Sequence, residues 1–242
     1  MVFRQCFLTA NDCYKSGRGL VPKGIMVHST GANNPRLSRY VGPDDGYLGV
    51  NIYNNHWNQP KPEGKQICCH AFIGKLEKGT VATYQTLPWT MEGWHCGGSA
   101  NKTHISFEIC EDGLTSDTYF SAIYQEATEL CAYLCRTFSL DPAKDGVLID
   151  HSDGHRRGIA SNHADVGHWF PRHGASMEKL RAAVLDQLET TEMYRVRKTW
   201  KDAAKQKGAF RVLDYAIACA IANPGYKVFN QAGAEVYPKR AA

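Results

Sequence analysis

The sequence of 242 residues lacks the features of a membrane protein and of a secreted protein. No run of apolar residues approaches the roughly 20 that are needed to span a bilayer. The first residues, MVFRQCFLTANDCYKSG, show no basic start followed by a long apolar segment, so no secretory signal is visible. We therefore expect a soluble protein that accumulates in the cytoplasm of the cell that makes it.

The sequence also lacks the cysteine patterns of a disulfide framework and of a cysteine-rich zinc site. Its nine cysteines are an odd number, which prevents complete intramolecular pairing, and no CxxC…CxxC pattern is present. Two of them fall on the apolar stripe of a predicted helix, and four fit strand positions. We expect buried thiols that act as small hydrophobic side chains at these six positions, which are Cys68, Cys69, Cys96, Cys110, Cys131 and Cys135.

Positive charge is concentrated at the end of the sequence. The formal net charge is +4, but from Thr191 onward ten Lys and Arg face four Asp and Glu, whereas residues 1–190 carry 18 against 20. A basic terminal segment fits attraction to an anionic polymer or surface, and it fits equally a merely solvated basic face. We treat residues 191–242 as a separate, small basic module.

Residues 1–190 show the alternation of strand and helix patterns that is typical of an α/β domain. Apolar and polar residues alternate in GIMVHST and THISFEIC, GVLID is a short apolar strand, and ICCHAFIG and TVATYQTLP predict a hairpin. Apolar residues at three- and four-residue spacing, from Phe120 to Phe138, predict a helix that Asp117 can cap and that LDP ends, and another helix from Ser176 to Glu189. We predict a mixed central β-sheet flanked by helices.

Two other segments have distinctive patterns. Residues 31–64 are rich in Gly, Pro and Asn, which predicts long, functional loops with a short helix near Gly49 to His56. The basic module predicts a β-α-β-β unit with the strand YRVRKTW, a helix over residues 202–225, and the strands YKVF and AEVY. About 50 residues bury only a marginal core, so we expect this module to lean on the main domain or on a second copy.

Four of the ten histidines lie in the segment HSDGHRRGIASNHADVGHW, His151 to Trp169. His151 and His155 are four residues apart, as are the zinc ligands of an H-E-x-x-H helix, but Ser rather than Glu follows His151. Gly154 and Gly158 would each cost roughly 1 kcal/mol in a helix interior. We therefore expect an ordered loop that follows the strand GVLID.

Three elements predict a hydrolytic metal site. His28 follows the first strand, and Glu108 lies in mid-strand, where a glutamate is unusual without a partner. A hydrolytic zinc site needs three nitrogen or oxygen ligands, an open position for water and a nearby base. Because ligands of open α/β sheets bind beyond the strand ends, His28, Glu108 and the segment 151–169 are candidates for such a site.

Five segments, in the right order, resemble the type 2 N-acetylmuramoyl-L-alanine amidases, which share a fold with bacteriophage lysozyme-type amidases and peptidoglycan recognition proteins. The segments are GIMVHSTGA, CCHAFIG, EGWHCG, THISFEICEDG and HSDGHRRGIASNHADVGHWFPRHG, and the resemblance covers about residues 20–185. The last segment is similar to a zinc-ligand loop in elaborated form, as in amidase endolysins and prophage lysins of Gram-positive hosts. The resemblance implies a zinc-dependent peptidoglycan hydrolase.

The resemblance implies that His28, His151 and Asp165 bind one Zn²⁺ ion and that Glu108 is the general base. His163 lies where the family often has Lys, and it would stabilise the oxyanion. Val-Gly rather than Pro-Gly follows Asp165, which departs from the family pattern. Two neutral imidazoles and one carboxylate leave zinc a net positive charge, which lowers the pKa of bound water towards about 7.

The resemblance also places His70 and His95 near the substrate. His155 and Trp94 are further candidates for substrate contact. Tyr47 and Trp57 are aromatic rings that could stack on sugar. Simpler alternatives stay open. Asp165 could cap a turn, and Glu108 could pair with a positive side chain. His70 and His95 could be hydrogen-bonded structural residues.

We therefore predict an enzyme that hydrolyses the amide between N-acetylmuramic acid and L-alanine in peptidoglycan. As a phage or prophage endolysin it would wait in the host cytoplasm and act on the cell wall after release. The basic module would bind wall polymers or form a homodimer. One rival function is a non-catalytic peptidoglycan-binding protein of the same fold. Another is a His-metal nuclease, indicated by Asp153 to His155 and the basic module, although the slight acidity of residues 1–190 argues against nucleic acid as a partner.

Overall fold

The structure of the protein is a computed structural model that describes residues 1–189, 193–210 and 213–238. The chain divides into two units, Met1–Gln187 and Leu188–Ala242. Whether residues 191–242 act as an independent domain stays a prediction. None of the helices in the described residues is long and apolar enough to cross a membrane.

The first unit is built on one mixed sheet of six strands in the order β1-β4-β3-β5-β2-β6. Neighbouring strands run parallel except for the hairpin of β3 and β4. The strands are β1 (Phe3–Gln5), β2 (Gly24–Asn33), β3 (Ala71–Lys75), β4 (Val81–Gln85), β5 (His104–Glu111) and β6 (Leu148–Asp150). This confirms the predicted mixed sheet and the predicted hairpin.

Helices flank this sheet, as predicted. The longest, α2, begins after Ser116, whose hydroxyl accepts a hydrogen bond from the backbone N–H of Tyr119, so the capping residue is Ser116 and not Asp117. Its apolar stripe packs on β3 and β4. The helices are α1 (Asp12–Ser16), α2 (Asp117–Phe138), α3 (His151–Arg156), α4 (Val166–Trp169) and α5 (Met177–Glu189).

The core of the first unit follows the alternation of β2 and β5. Four apolar side chains are fully buried here: Ile25, Val27, Ile105 and Phe107. Removal of apolar surface from water stabilises the folded state by roughly 25 cal/mol per Å² of buried area. The six cysteines expected to be buried thiols are all buried and free, which confirms that prediction.

The segment 49–56 contains no helix, so that prediction is wrong. Gly49 and Asn54 both have positive φ, which a right-handed helix does not accept. The side-chain amide of Asn51 donates to the carbonyl oxygen of Ser38 and to the side chain of Asn55, and these bonds hold the segment in turns.

In its described residues, the second unit is a four-stranded antiparallel sheet in the order β10-β9-β7-β8, with one α-helix. The predicted helix over 202–225 is too long, because residues 208–210 pair with β7, and Gly208 leaves room for the ring of Phe210. Part of that predicted helix, residues 211–212, lies outside the described residues. The elements are β7 (Tyr194–Arg197), β8 (Gly208–Phe210), α6 (Leu213–Ile221), β9 (Lys227–Phe229) and β10 (Glu235–Tyr237).

Candidate metal centre and active site

Three side chains from distant parts of the sequence meet at one edge of the main sheet. His28 is the fifth of the ten residues of β2, so it lies within this strand and not after it as expected, opposite Glu108 of the parallel neighbour β5. His151 directly follows β6, the other neighbour of β2, and Asp165 precedes α4. Parallel strands direct their carboxyl ends to the same edge, and this brings the two histidines together.

The donor atoms of His28, His151 and Asp165 all lie within 4.8 Å of one another. The two Nδ1 atoms are 3.1 Å apart, and Asp165 Oδ2 lies 3.3 Å from the first and 2.7 Å from the second. In a tetrahedral zinc site with bonds of 2.0–2.1 Å, ligand atoms are about 3.3 Å apart. The donor set and its spacing therefore fit zinc, with three protein ligands as in catalytic sites.

In His28 and His151, the ring nitrogen that faces away from this centre has a hydrogen-bond partner of its own. His28 Nε2 lies 2.9 Å from His95 Nδ1, and His151 Nε2 lies 3.1 Å from the hydroxyl of Ser161. Such outer contacts fix the tautomer and the orientation of metal-binding histidines. Both imidazoles are therefore held with Nδ1 towards Asp165.

Asp165 has a backbone conformation that few side chains adopt. Its φ of 44° is positive, and such positions cost about 1–3 kcal/mol and are concentrated at functional sites. It occupies the position before α4, yet its side chain makes no capping bond and contacts the histidines instead. Burial alone would raise the pKa of Asp165, but the imidazoles of His151 and His28 beside its carboxylate lower it below its usual value.

The segment after β6 is the helix α3 and not the predicted loop. Asp150 caps it by accepting a 2.6 Å hydrogen bond from the backbone N–H of Asp153. Gly154, which counted against a helix, packs closely against β2, since a Cβ there would lie 2.7 Å from Met26 Cε and the methionine side chain would have to move. The helix buries His151, whereas His155 points away, is exposed and does not line the cleft described below, so a substrate contact of His155 is not supported.

Glu108 lies beside the three donors with one oxygen unsatisfied. Its Oε2 is buried and has no hydrogen-bond partner among the described residues, which disfavours the alternative that Glu108 serves to pair with a positive side chain. Burial raises the pKa of the Glu108 carboxyl well above its usual value, and the negative charges of Asp165 and Glu111 raise it further.

His163 stands next to the centre on the exposed side. Its Nδ1 lies 3.1 Å from the hydroxyl of Ser161, and its ring centroid is 4.6 Å from that of His151. Sequence reasoning missed Ser161, because a serine two residues before His163 carries no signal of its own.

A cleft of about 960 Å³ opens onto these groups. Trp94, His95 and Trp57 line it as candidate substrate contacts, together with the three donors, Glu108 and His163. Arg18 and Lys65 also line it, and sequence reasoning did not find them. Glu92 holds the Arg18 guanidinium at 3.3 Å.

Besides His155, two predicted contacts lie outside this cleft. His70 is fully buried, its Nε2 is 2.8 Å from the carbonyl oxygen of Met91, and its Nδ1 accepts from the backbone N–H of Ser106. With both nitrogens occupied, His70 fits the alternative of a hydrogen-bonded structural residue, and the structure gives no support to its prediction as a substrate contact. Tyr47 packs against the Arg4 guanidinium instead of lining the cleft.

The groups that indicated a nuclease are used elsewhere. Asp153 forms ion pairs with Arg156, Arg157 and Arg181, at 3.1, 3.3 and 3.6 Å. Its carboxylate therefore stabilises α3, and it does not join His155 in a metal site.

Comparison with known proteins identifies the family of the chain. The sequence profile described as N-acetylmuramoyl-L-alanine amidase matches residues 18–168. No curated protein sequence matches the chain. Similar solved structures include the hydrolase AmiA of Staphylococcus aureus in complex with its ligand, with a TM-score of 0.54 and 18% identity over 78% of this chain and 83% of that one.

Two further structures share the fold. The catalytic domain of XlyA has a TM-score of 0.53 and 19% identity, over 76% of this chain and 99% of that one. A mutant endolysin from Bacillus subtilis has a TM-score of 0.52 and 20% identity, over the same shares of 76% and 99%. The profile match, which spans more than half of the chain, establishes that the protein belongs to the type 2 N-acetylmuramoyl-L-alanine amidase family of peptidoglycan amidases.

Proposed function

We propose that the protein is a zinc-dependent hydrolase that cleaves the amide between the lactyl group of N-acetylmuramic acid and L-alanine in peptidoglycan. The observation that carries this proposal is the convergence of His28, His151 and Asp165 within 4.8 Å, beside the unsatisfied Glu108. A non-catalytic binding protein of this fold would have no need for a complete donor set and an adjacent carboxyl group.

Zinc, when bound, supplies a Lewis acid that polarises the amide carbonyl and lowers the pKa of water. Glu108 takes the proton of the attacking water at Oε2 and delivers it to the amide nitrogen of L-alanine as the C–N bond breaks. A carboxyl group with a raised pKa suits both steps, because it binds a proton more readily than an ordinary carboxylate does and can then donate it.

His163 stabilises the charge that develops on the carbonyl oxygen. Its Nδ1 is held by Ser161, so a hydrogen bond to the oxyanion comes from Nε2 of the imidazolium form, in which both ring nitrogens carry a proton. The loss of one such donor typically costs about 3–4 kcal/mol of transition-state stabilisation. Trp57 and Trp94 provide flat apolar walls for sugar or peptide, and their indoles tolerate one wet edge.

The second unit is proposed to bind anionic wall polymers. Val196 of β7 is buried with α6, so Arg195 and Arg197 lie on the opposite face of the sheet, next to Lys227 of β9. Trp200 lies beneath both guanidinium groups. Binding of the full chain to purified walls should weaken severalfold as salt screens these charges, and it should survive salt if the charges are irrelevant. Nothing in the structure supports the predicted homodimer.

The role in the cell that fits this chemistry is lysis. We propose that the protein acts on the wall as an endolysin does, after release from the host cytoplasm. Its expected partner is peptidoglycan, without nucleic acid or membrane insertion.

Mass spectrometry of digested peptidoglycan tests the proposed reaction. The expected product has free amino termini on L-alanine and intact glycan strands, and it should be absent with a chelator and with the variant Glu108→Gln. New reducing ends or cleaved cross-bridges would identify a different bond. Binding to walls without any product would favour the non-catalytic rival, and cleavage of plasmid DNA would favour the nuclease.

A further inference from the structure

The hydroxyl group of Ser161 contacts three polar atoms. Its Oγ lies 3.0 Å from the carbonyl oxygen of Cys96, 3.1 Å from Nε2 of His151 and 3.1 Å from Nδ1 of His163. One hydroxyl therefore joins a metal-site histidine to the histidine proposed to stabilise the oxyanion.

The protons of these three bonds can be assigned. A serine hydroxyl has one proton to donate and two lone pairs to accept, and a carbonyl oxygen can only accept. The proton of Ser161 must therefore point to Cys96, because two oxygens at 3.0 Å without a proton between them repel each other. Both lone pairs remain for the histidines, so each histidine must donate: His151 from Nε2–H and His163 from Nδ1–H.

We propose that Ser161 is a positioning residue that sets the tautomers of His151 and His163 together. With its proton on Nε2, His151 presents the lone pair of Nδ1 to the metal centre. With its proton on Nδ1, neutral His163 presents the lone pair of Nε2 to the cleft, and Nε2 can donate to an oxyanion once it binds a second proton. The role of Ser161 towards the oxyanion rests on the proposed function, whereas the tautomer assignment rests on the contacts alone.

Ser161 is itself held in place by backbone contacts. Its N–H donates to the same carbonyl oxygen of Cys96, over 2.8 Å. The neighbouring glycines permit this close approach, since a Cβ at Gly97 would lie 3.2 Å from Ser161 Oγ and one at Gly98 would lie 2.3 Å from the carbonyl oxygen of Ile159. Ser161→Ala keeps this backbone hydrogen bond and removes only the hydroxyl. The variant therefore tests the role of the hydroxyl separately from that of the backbone contact.

The tautomers can be observed directly by long-range ¹⁵N–¹H NMR of the zinc-loaded full chain at about pH 8. Bound zinc is needed because, without it, the Asp165 carboxylate 2.7 Å from His151 Nδ1 can only accept and competes for the proton. The wild type should show His151 protonated at Nε2 and His163 protonated at Nδ1. In Ser161→Ala, His163 should lose its fixed Nδ1–H signal. The opposite tautomer of His163 in the wild type, or unchanged tautomers in Ser161→Ala, would overturn the proposal.

Zinc affinity provides a second readout. Loss of an outer partner typically weakens metal binding about 10- to 100-fold, and this loss is expected for Ser161→Ala. Ser161→Thr keeps a hydroxyl and should restore both the affinity and the tautomers. The matched control is Ser152→Ala, because Ser152 contacts Arg156 and neither histidine.

The outcomes separate this proposal from the proposed function. If the wild type fails to cleave peptidoglycan but shows the expected tautomers, the proposed reaction is wrong and the positioning role of Ser161 stands. If the wild type cleaves the amide, and Ser161→Ala has the same zinc affinity and the same tautomers as the wild type, the positioning role is wrong and the reaction stands. A Ser161→Ala variant that does not fold leaves the wild-type tautomers and Ser161→Thr as the decisive measurements.

Discussion

At the scale of single residues, the site combines two carboxyl groups in opposite electrostatic environments. Two imidazoles lower the pKa of Asp165, whereas burial without a partner raises the pKa of Glu108. Asp165 is thus an anion ready to bind a cation, and Glu108 is a group that can hold a proton. Such a division between neighbouring titratable groups is typical of enzymes that use acid–base chemistry.

Glu108→Gln tests the proton-transfer role. The amide has nearly the same shape but cannot accept the proton of water, so kcat should fall by about 10²- to 10⁴-fold. Zinc content should be unchanged, because Glu108 is not among the three donors. Amidase activity that survives this substitution in a zinc-loaded protein would remove Glu108 from the mechanism.

Asp165→Asn tests the metal role. Zinc affinity should fall by more than the roughly 10- to 100-fold that the loss of an outer partner costs, while the fold should persist because Asn also tolerates positive φ. The control is Asp141→Asn, at an exposed turn. Competition titration with a zinc indicator measures both variants, and equal affinities would contradict the assignment.

The sequence predicted the residues of the centre better than it predicted those around it. His28, His151 and Asp165 were placed by motif order, and the structure brings them together. His70 carried the same kind of motif signal but turned out to be buried, with both nitrogens occupied. Hydrogen-bond partners such as Ser161 depend on how distant segments pack, which a motif does not reveal.

At the scale of elements, close backbone approach positions the loops of the site. Residues 97–98 and 159–161 run against each other, and the backbone N–H of Ala100 donates to the carbonyl oxygen of Ile159. Glycine is needed there because any side chain would separate the two segments.

Gly98→Ala tests this packing. Its Cβ would lie 2.3 Å from the carbonyl oxygen of Ile159, so the backbone must move, at an expected cost of about 1–3 kcal/mol in the free energy of unfolding. Gly19→Ala is the control, since nothing lies within 4 Å of its Cβ and the change should be within about 0.5 kcal/mol. Denaturant unfolding compares the two, and equal stabilities would refute the packing role.

The errors in element prediction have physical causes. In α3, the cap from Asp150 and the contact of Gly154 with Met26 override the low helix propensity of glycine. In the second unit, pairing of Gly208–Phe210 with β7 overrides a helical pattern. Local sequence predicted the mixed sheet and the long helix α2, where one apolar face repeats over many residues, and failed where tertiary contacts decide.

At the scale of the whole molecule, buried neutral histidines should make stability depend on pH. Burial lowers the pKa of His70 to about 4 from an ordinary value of 6.5. Below about pH 6.5 the unfolded chain therefore binds a proton that the folded chain does not, so stability is full above that pH and falls as the pH decreases.

The loss from His70 alone should be about 2 kcal/mol between pH 7 and pH 5. His70→Gln lacks the titrating group, so its free energy of unfolding should fall less over this range. Urea unfolding in the presence of a chelator compares the two proteins without a contribution from zinc. Parallel pH profiles for the wild type and His70→Gln would contradict the prediction.

The coordination of zinc in the full chain tests the central claim most directly. X-ray absorption at the zinc edge of the loaded protein should show nitrogen and oxygen ligands at about 2.0–2.2 Å, in a tetrahedral set with two imidazoles. Ligation by sulfur at about 2.3 Å, which nine free cysteines could supply, would contradict the account. It would also be contradicted if the double variant His28→Ala/His151→Ala lost only one of the two imidazole signals.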